Sequence, residues 1–196
     1  MGIFDKIFGI QNLESQKKAK FRELERQFVG DSETVNSAKV AWLTSRGNHY
    51  GQQNQLDQAI ADFKDALILN PNYTPAYLSL GLAYRAKGMF KEAITIFEKV
   101  PKESKAHGNQ TIDRRFDICF HLGLVHMDMG DKRKAIEYLE NSLKVNDEMR
   151  QNSKTIEQSE ILKKIGVHGE SEEGEQEETI KNIKEIIKEL KQSSLP

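Results

Sequence analysis

The sequence predicts an all-α chain, and three observations carry that prediction. A pattern recurs at fixed spacing: Gly47, Tyr50, Ala59 and Phe63 are followed 34 residues later by Gly81, Tyr84, Ala93 and Phe97. A weaker copy places Gly123, His126, Ala135 and Leu139 at the same relative positions. A period in this range marks a repeat architecture, in which one small supersecondary unit is stacked on the next. No stretch shows sustained period-two alternation, the mark of a half-buried strand. Pro71, Pro75 and Pro101 fall between the periodic segments, where proline ends one helix or begins another.

The elements follow in order. Residues 1–31 read as a helical extension. Within it, Ile3, Phe4, Ile7 and Phe8 of the opening segment 1–13 share one helical face, and residues 15–29 form a charged helix with Phe21, Leu24 and Phe28 on one stripe. Gly30 is placed to end that helix and Asp31 or Ser32 to cap the next. Residues 32–150 hold three repeats, at about 40–73, 74–107 and 116–149, the first beginning its helix near Glu33. Gly81 and Gly123 are 42 residues apart, so the second interval carries an insertion, assigned to the polar stretch Lys105–Arg115. Residues 151–168 read as a capping helix, with Ile156, Ile161, Leu162 and Ile165 as its apolar positions; an end helix of this kind covers the last apolar face of a repeat array. The segment 169–178 is rich in Glu and Gly and reads as a solvated linker. A C-terminal amphipathic helix follows in 179–196, with Ile180, Ile183, Ile187 and Leu190 on one stripe and Lys181, Lys184, Lys188 and Lys191 beside it.

Composition narrows the function classes. The net charge is −1, which supplies no electrostatic attraction to nucleic acid. The single Cys119 excludes an intrachain disulfide framework and fits a reducing compartment. No run of 18 apolar residues and no secretory signal pattern is present, so the expected location is the cytoplasm, with peripheral contact at a membrane as a variant of it.

The recurring Gly-x-x-Tyr and Ala-x-x-x-Phe positions, with Pro71 closing the first copy, resemble the tetratricopeptide repeat over about residues 40–149. The resemblance implies antiparallel helix pairs stacked into a right-handed superhelical solenoid. Gly47, Gly81 and Gly123 would then sit where the first helix of a pair touches the second. A glycine inside a helix costs about 1 kcal/mol relative to alanine, so its recurrence calls for such a packing reason. Ala59, Ala93 and Ala135 would be the matching small residues, Phe63, Phe97 and Leu139 would fill the space between repeats, and Gly88 and Gly130 would occupy the turns. Three departures stand out: Arg46 where leucine is usual, His126 in place of the tyrosine, and Lys105 and Asp147 in place of Pro71.

In this family the first helix of each pair lines the concave face. The resemblance therefore implies a peptide-binding set of Asn48, Leu78, Ser79, Leu82, Arg85, Phe120, His121, Leu124, Met127 and Asp128. The apolar members have two readings. They pack under a neighbouring helix, or they receive an amphipathic helix or extended peptide from another protein. The stripes Phe21/Leu24/Phe28 and Ile180/Ile183/Ile187/Leu190 are candidate occupants supplied by the chain itself. Binding of acidic chaperone tails is argued against, because the clamp positions hold Thr44, Ser79, Asp117 and His121 rather than cations.

No catalytic or metal constellation is legible. His121 and His126 are five apart and face different ways on a helix; Cys119 and His126 share a face but occupy the packing positions equivalent to Tyr77 and Tyr84. No phosphate loop or nucleophile elbow is present. The expectation is a non-enzymatic interaction scaffold or adaptor that needs no cofactor and no metal. The alternative is an organiser acting through its end helices, by self-association or by weak membrane contact through Ile3, Phe4, Ile7 and Phe8.

Overall fold

The computed structural model describes the backbone of residues 3–105, 111–157 and 173–193, and the side chains of residues 12–102, 114–151 and 177–193. The described residues are all-α in class, with one small ribbon. They fall into two compact units, Met1–Lys87 and Gly88–Pro196.

The first unit contains α1 (Ile3–Gln27), α2 (Ser32–Gln52), α3 (Leu56–Leu69) and α4 (Thr74–Ala86). The two N-terminal segments read separately from the sequence are one helix, α1; the side chains of Ile3, Phe4, Ile7 and Phe8 lie outside the described residues. Asp31 caps α2 as expected, its carboxylate accepting from the Thr34 backbone N–H at 3.0 Å. Three glycines, Gly30, Gly88 and Gly130, adopt positive φ. In the α2–α3 turn, the position equivalent to Gly88 and Gly130 is held by Asn54 with φ 58°, a conformation that Asn tolerates better than most residues.

The α2–α3 pair owes its close approach to Gly47. A Cβ added there would lie 2.6 Å from Phe63 Cε1 and 2.9 Å from Cδ1. The sequence reading named Ala59 as the partner of this glycine. The nearest atoms are instead those of Phe63, one helical turn further on, while Ala59 is fully buried. Val40, Leu43, Ala66 and Ala76 form the core of this unit, and α1 closes one side of it by setting Phe21 edge-on against Trp42 at 6.0 Å. Lys17 pairs with Asp65 at 2.8 Å and Lys39 with Glu25 at 2.6 Å, tying α1 to α3 and α2.

Arg46, the departure from the expected leucine, has its own partner. Its Nε donates to Asp62 Oδ2 at 2.7 Å and its Nη2 to Oδ1 at 2.5 Å, a two-pronged bond between α2 and α3. The guanidinium lies 4.2 Å from the Trp42 ring centroid, and both charged side chains are nearly buried.

The second unit contains α5 (Phe90–Glu98), a ribbon of β1 (Glu103–Lys105) and β2 (Thr111–Asp113), then α6 (Arg115–Asp128), α7 (Lys132–Glu157) and α8 (Glu173–Gln192). β1 and β2 pair antiparallel with Ser104 opposite Ile112. The predicted insertion at Lys105–Arg115 thus includes strand. Three residues per strand are too few to display alternation, and so the sequence carried no strand signal there. Pro101 follows the end of α5, which stops at Glu98, short of the repeat limit expected at 107.

α6 and α7 repeat the first unit's close contact. A Cβ on Gly123 would lie 2.7 Å from Leu139 Cγ and 3.3 Å from the Leu139 backbone nitrogen. Again the nearest atoms are those of Leu139, one turn beyond the expected Ala135. α7 runs unbroken past 150, where a separate capping helix was expected to begin. The stretch Val145–Ser153 holds no Gly or Pro, and nothing local stops the helix. Of the predicted capping positions, Ile156 falls within α7 with its side chain outside the described residues, and Ile161, Leu162 and Ile165 lie outside them altogether. α8 starts at Glu173, so the end of the predicted acidic linker is helical. The covering of the last pair falls to α8, whose Ile183 and Ile187 are buried beside Leu139.

Two stability predictions follow from these contacts. Gly47→Ala and Gly123→Ala should each destabilise by about 1–3 kcal/mol in denaturant unfolding, because the gain in helix propensity is outweighed by overpacking. Gly51→Ala, with nothing within 4 Å of its added Cβ, should be neutral or stabilising by up to about 1 kcal/mol; equal effects at the three sites would refute the packing role. Asp62→Ala should cost about 3–5 kcal/mol by stranding the Arg46 charge, and Arg46→Leu combined with Asp62→Ala should recover much of that loss.

Candidate functional site

Fixing Val40, Leu43 and Gly47 inward turns the opposite face of α2 outward. Ala41, Ser45, Asn48 and Gln52 follow one another at steps of four, three and four and are exposed. With Thr44 and His49 of the same helix, and Tyr73 and Pro75 at the start of α4, they line a shallow cavity of about 490 Å³. Thr44 is buried, its hydroxyl donating to the Val40 carbonyl at 2.9 Å. His49 Nε2 lies 2.9 Å from Gln53 Nε2 at the rim. None of the lining residues is Asp, Glu, Lys or Arg. The cavity therefore offers hydroxyl, amide and imidazole groups, suited to uncharged polar atoms and not to an isolated carboxylate.

Asn48 is the residue of the predicted set that lines this cavity. Leu78, Ser79, Leu82 and Arg85 lie further along α4. Leu78, Leu82 and Arg85 stand at i, i+4 and i+7 and share a face; Leu82 is 40% exposed, the others half-buried. Two of the lining residues outside the predicted set, His49 and Tyr73, show what the sequence could and could not supply. His49 is four residues after Ser45 and so was legible as part of the same stripe. Tyr73 precedes the first turn of α4, and its place in the cavity depends on how α4 packs against α2 and α3.

In the second unit the predicted residues of α6 behave in two ways. Phe120 stacks on Phe116 at 6.1 Å and packs against the buried face of α8, next to Ile183 and Ile187. His121 stacks on Phe97 at 5.2 Å with the rings 14° apart. Leu124 and Met127 are half-buried and Asp128 is exposed.

His126, the tyrosine replacement, is buried, stacked on Tyr138 at 5.3 Å, with Nδ1 3.7 Å from Asp131 Oδ2. Burial holds its pKa below the ordinary value of 6.5, helped by Lys134; Asp131, Glu137 and Glu98 oppose the shift without reversing it. Among the described residues no three His, Cys, Asp or Glu side chains gather as a metal site, and no helix is long and apolar enough to cross a membrane.

A folded-state pKa below the unfolded value means that the unfolded chain takes up the proton more readily. The contribution of His126 is therefore complete above pH 6.5 and is lost as the pH falls through the folded value. Melting temperatures at pH 7.5 and 5.5 should differ more for the native chain than for His126→Tyr, which restores the residue found at Tyr50 and Tyr84. Identical pH dependence in the two proteins would remove His126 as the source.

Comparison with known proteins places these features. Residues 52–108 match a family model described as tetratricopeptide repeat, and residues 116–148 match a second model of the same description. No curated protein matches the chain. Among solved structures, the chain is similar to YrrB, described as a TPR protein with an unusual peptide-binding site (24% identity, 65% of this chain and 57% of that chain, TM-score 0.44). It is also similar to PcrH, solved in complex with the chaperone binding region of PopD (19% identity, 58% of this chain and 76% of that chain, TM-score 0.46). A third is MamA 41-end from Desulfovibrio magneticus RS-1 (17% identity, 100% and 99% coverage, TM-score 0.45). The chain thus spans just over half the length of YrrB.

Proposed function

The chain belongs to the tetratricopeptide-repeat family, and on that premise we propose that it is a non-catalytic scaffold holding a segment of another protein in the α2/α4 groove. The observation that carries this reading is the neutral cavity on the outward face of α2. Ser45, Asn48 and Gln52 present side-chain donors and acceptors in a row, at a spacing that an extended backbone can follow. Leu78 and Leu82 on α4 supply apolar anchorage, and Arg85 sets direction. The ligand is a peptide whose contacts in the cavity are backbone amides and uncharged polar side chains; a peptide ending in a bare carboxylate finds no cation among the lining residues.

A peptide-display selection against the full chain tests the proposal. Selected peptides should lose at least about tenfold in affinity on Asn48→Glu with Leu82→Glu, while the melting temperature holds, because both residues are exposed. Binding indifferent to the double substitution would move the site elsewhere. Failure to select any peptide would defeat the reading.

A further inference from the structure

α8 lies along α7 with opposite polarity. Arg150 Nη2 meets Glu177 Oε1 at 2.9 Å near the start of α8, Lys191 Nζ meets Glu140 Oε1 at 2.8 Å near its end, and Lys132 Nζ reaches the Ser193 carbonyl at 3.1 Å just beyond. Between these contacts Ile183 and Ile187 are buried beside Leu139, against Phe116, Phe120 and Leu143. Ile186 and Leu190 pack half-buried against the same cluster, Ile180 is half-buried, and the charged residues of the helix from 177 on are exposed.

This attachment differs in kind from the α6–α7 crossing. The crossing is made by the contact of Gly123 with Leu139 and does not pass through α8. The ion pairs of α8 join side chains that are each at least half exposed, and pairs of that kind hold little. What retains α8 is the apolar face formed by Ile183, Ile186, Ile187 and Leu190, together with its covalent tether. A helix in a protein draws most of its stability from packing its amphipathic face, so undocking of α8 would also cost much of its helicity as a local event.

We propose that the α6/α7 end face is a docking site for an amphipathic helix of another protein, and that α8 is its resident, tethered occupant. The fit of α8 states the chemistry of that partner. It is a helix of about five turns, with isoleucine or leucine at i, i+4 and i+7. Its first turns are acidic, to meet Arg150, and its last turn is basic, to meet Glu140. It runs antiparallel to α7. Such a partner must outcompete a tethered helix whose effective concentration is on the order of mM. Release of α8 also frees Phe120. The inference does not depend on what the α2/α4 groove holds.

The probe is a fluorescein-labelled peptide of residues 173–192, titrated by anisotropy into the full chain and into the full chain carrying Ile183→Glu and Ile187→Glu. The variant should bind the probe at least about tenfold more tightly than the native chain, because the tethered competitor is gone. A probe bearing the same two substitutions should not bind. Equal affinity for both chains, no binding to the variant, or binding of the substituted probe overturns the proposal. So does a variant that no longer unfolds cooperatively, which makes α8 an integral part of the array. A variant that dimerises and refuses the probe overturns it in favour of a second copy as occupant. In the native chain, hydrogen exchange of the α8 amides should be at least about tenfold faster than that of the α6 and α7 amides; equal protection also overturns it.

Discussion

In both the α2–α3 and α6–α7 pairs, a glycine on the first helix faces a large apolar side chain on the second, at a distance that leaves no room for a Cβ. Gly47 lies under the Phe63 ring and Gly123 under Leu139. That contact fixes more than a separation. It sets the rotation of the first helix about its own axis, and so decides which residues turn inward. With Gly47 held at the crossing, Val40 and Leu43 enter the core, and Ala41, Ser45, Asn48 and Gln52 turn to solvent. The candidate groove is the other side of the packing decision, made by the same helix and the same phase.

Polar residues inside this scaffold serve specific neighbours. Arg46 replaces an apolar residue at the α2–α3 crossing and is balanced by Asp62 across the pair, under the Trp42 ring. A charge in that position is tolerable because its partner is equally buried and the geometry is two-pronged. His126 replaces a tyrosine, and the site accepts it as a neutral ring stacked on Tyr138. Both residues set a flat side chain against an aromatic ring.

A repeat leaves an apolar face at each end of its array. In the first unit α1 covers the α2/α3 side, through Phe21 and Leu24 and with the ion pairs Glu25–Lys39 and Lys17–Asp65. In the second unit α8 covers α6/α7 through Ile183 and Ile187. Phe21 and Leu24 of α1 and Ile183 and Ile187 of α8 are therefore used internally. The α1 stripe packs on the core side of α2 and leaves the cavity face open.

The sequence by itself determined the helical class, the repeat spacing and the recurring glycines, and it narrowed the cap of α2 to Asp31 or Ser32. These depend on the periodicity of one helix or on turn chemistry within a few residues, and such information is local. It also showed that α8 had an apolar face needing a partner. What only the tertiary structure decided was which atoms meet. Phe63 and Leu139, one turn beyond the expected alanines, bring the nearest atoms to the glycines. Arg46 finds Asp62, 16 residues away in sequence. The residues after 150 continue α7, and α8 rather than a nearer segment covers the last pair. Tyr73 joins the cavity because of how α4 lies against α2. Each of these outcomes depends on side chains from separate elements competing for the same surface. A linear pattern records which residues are apolar, but the choice among apolar partners is made by shape in three dimensions.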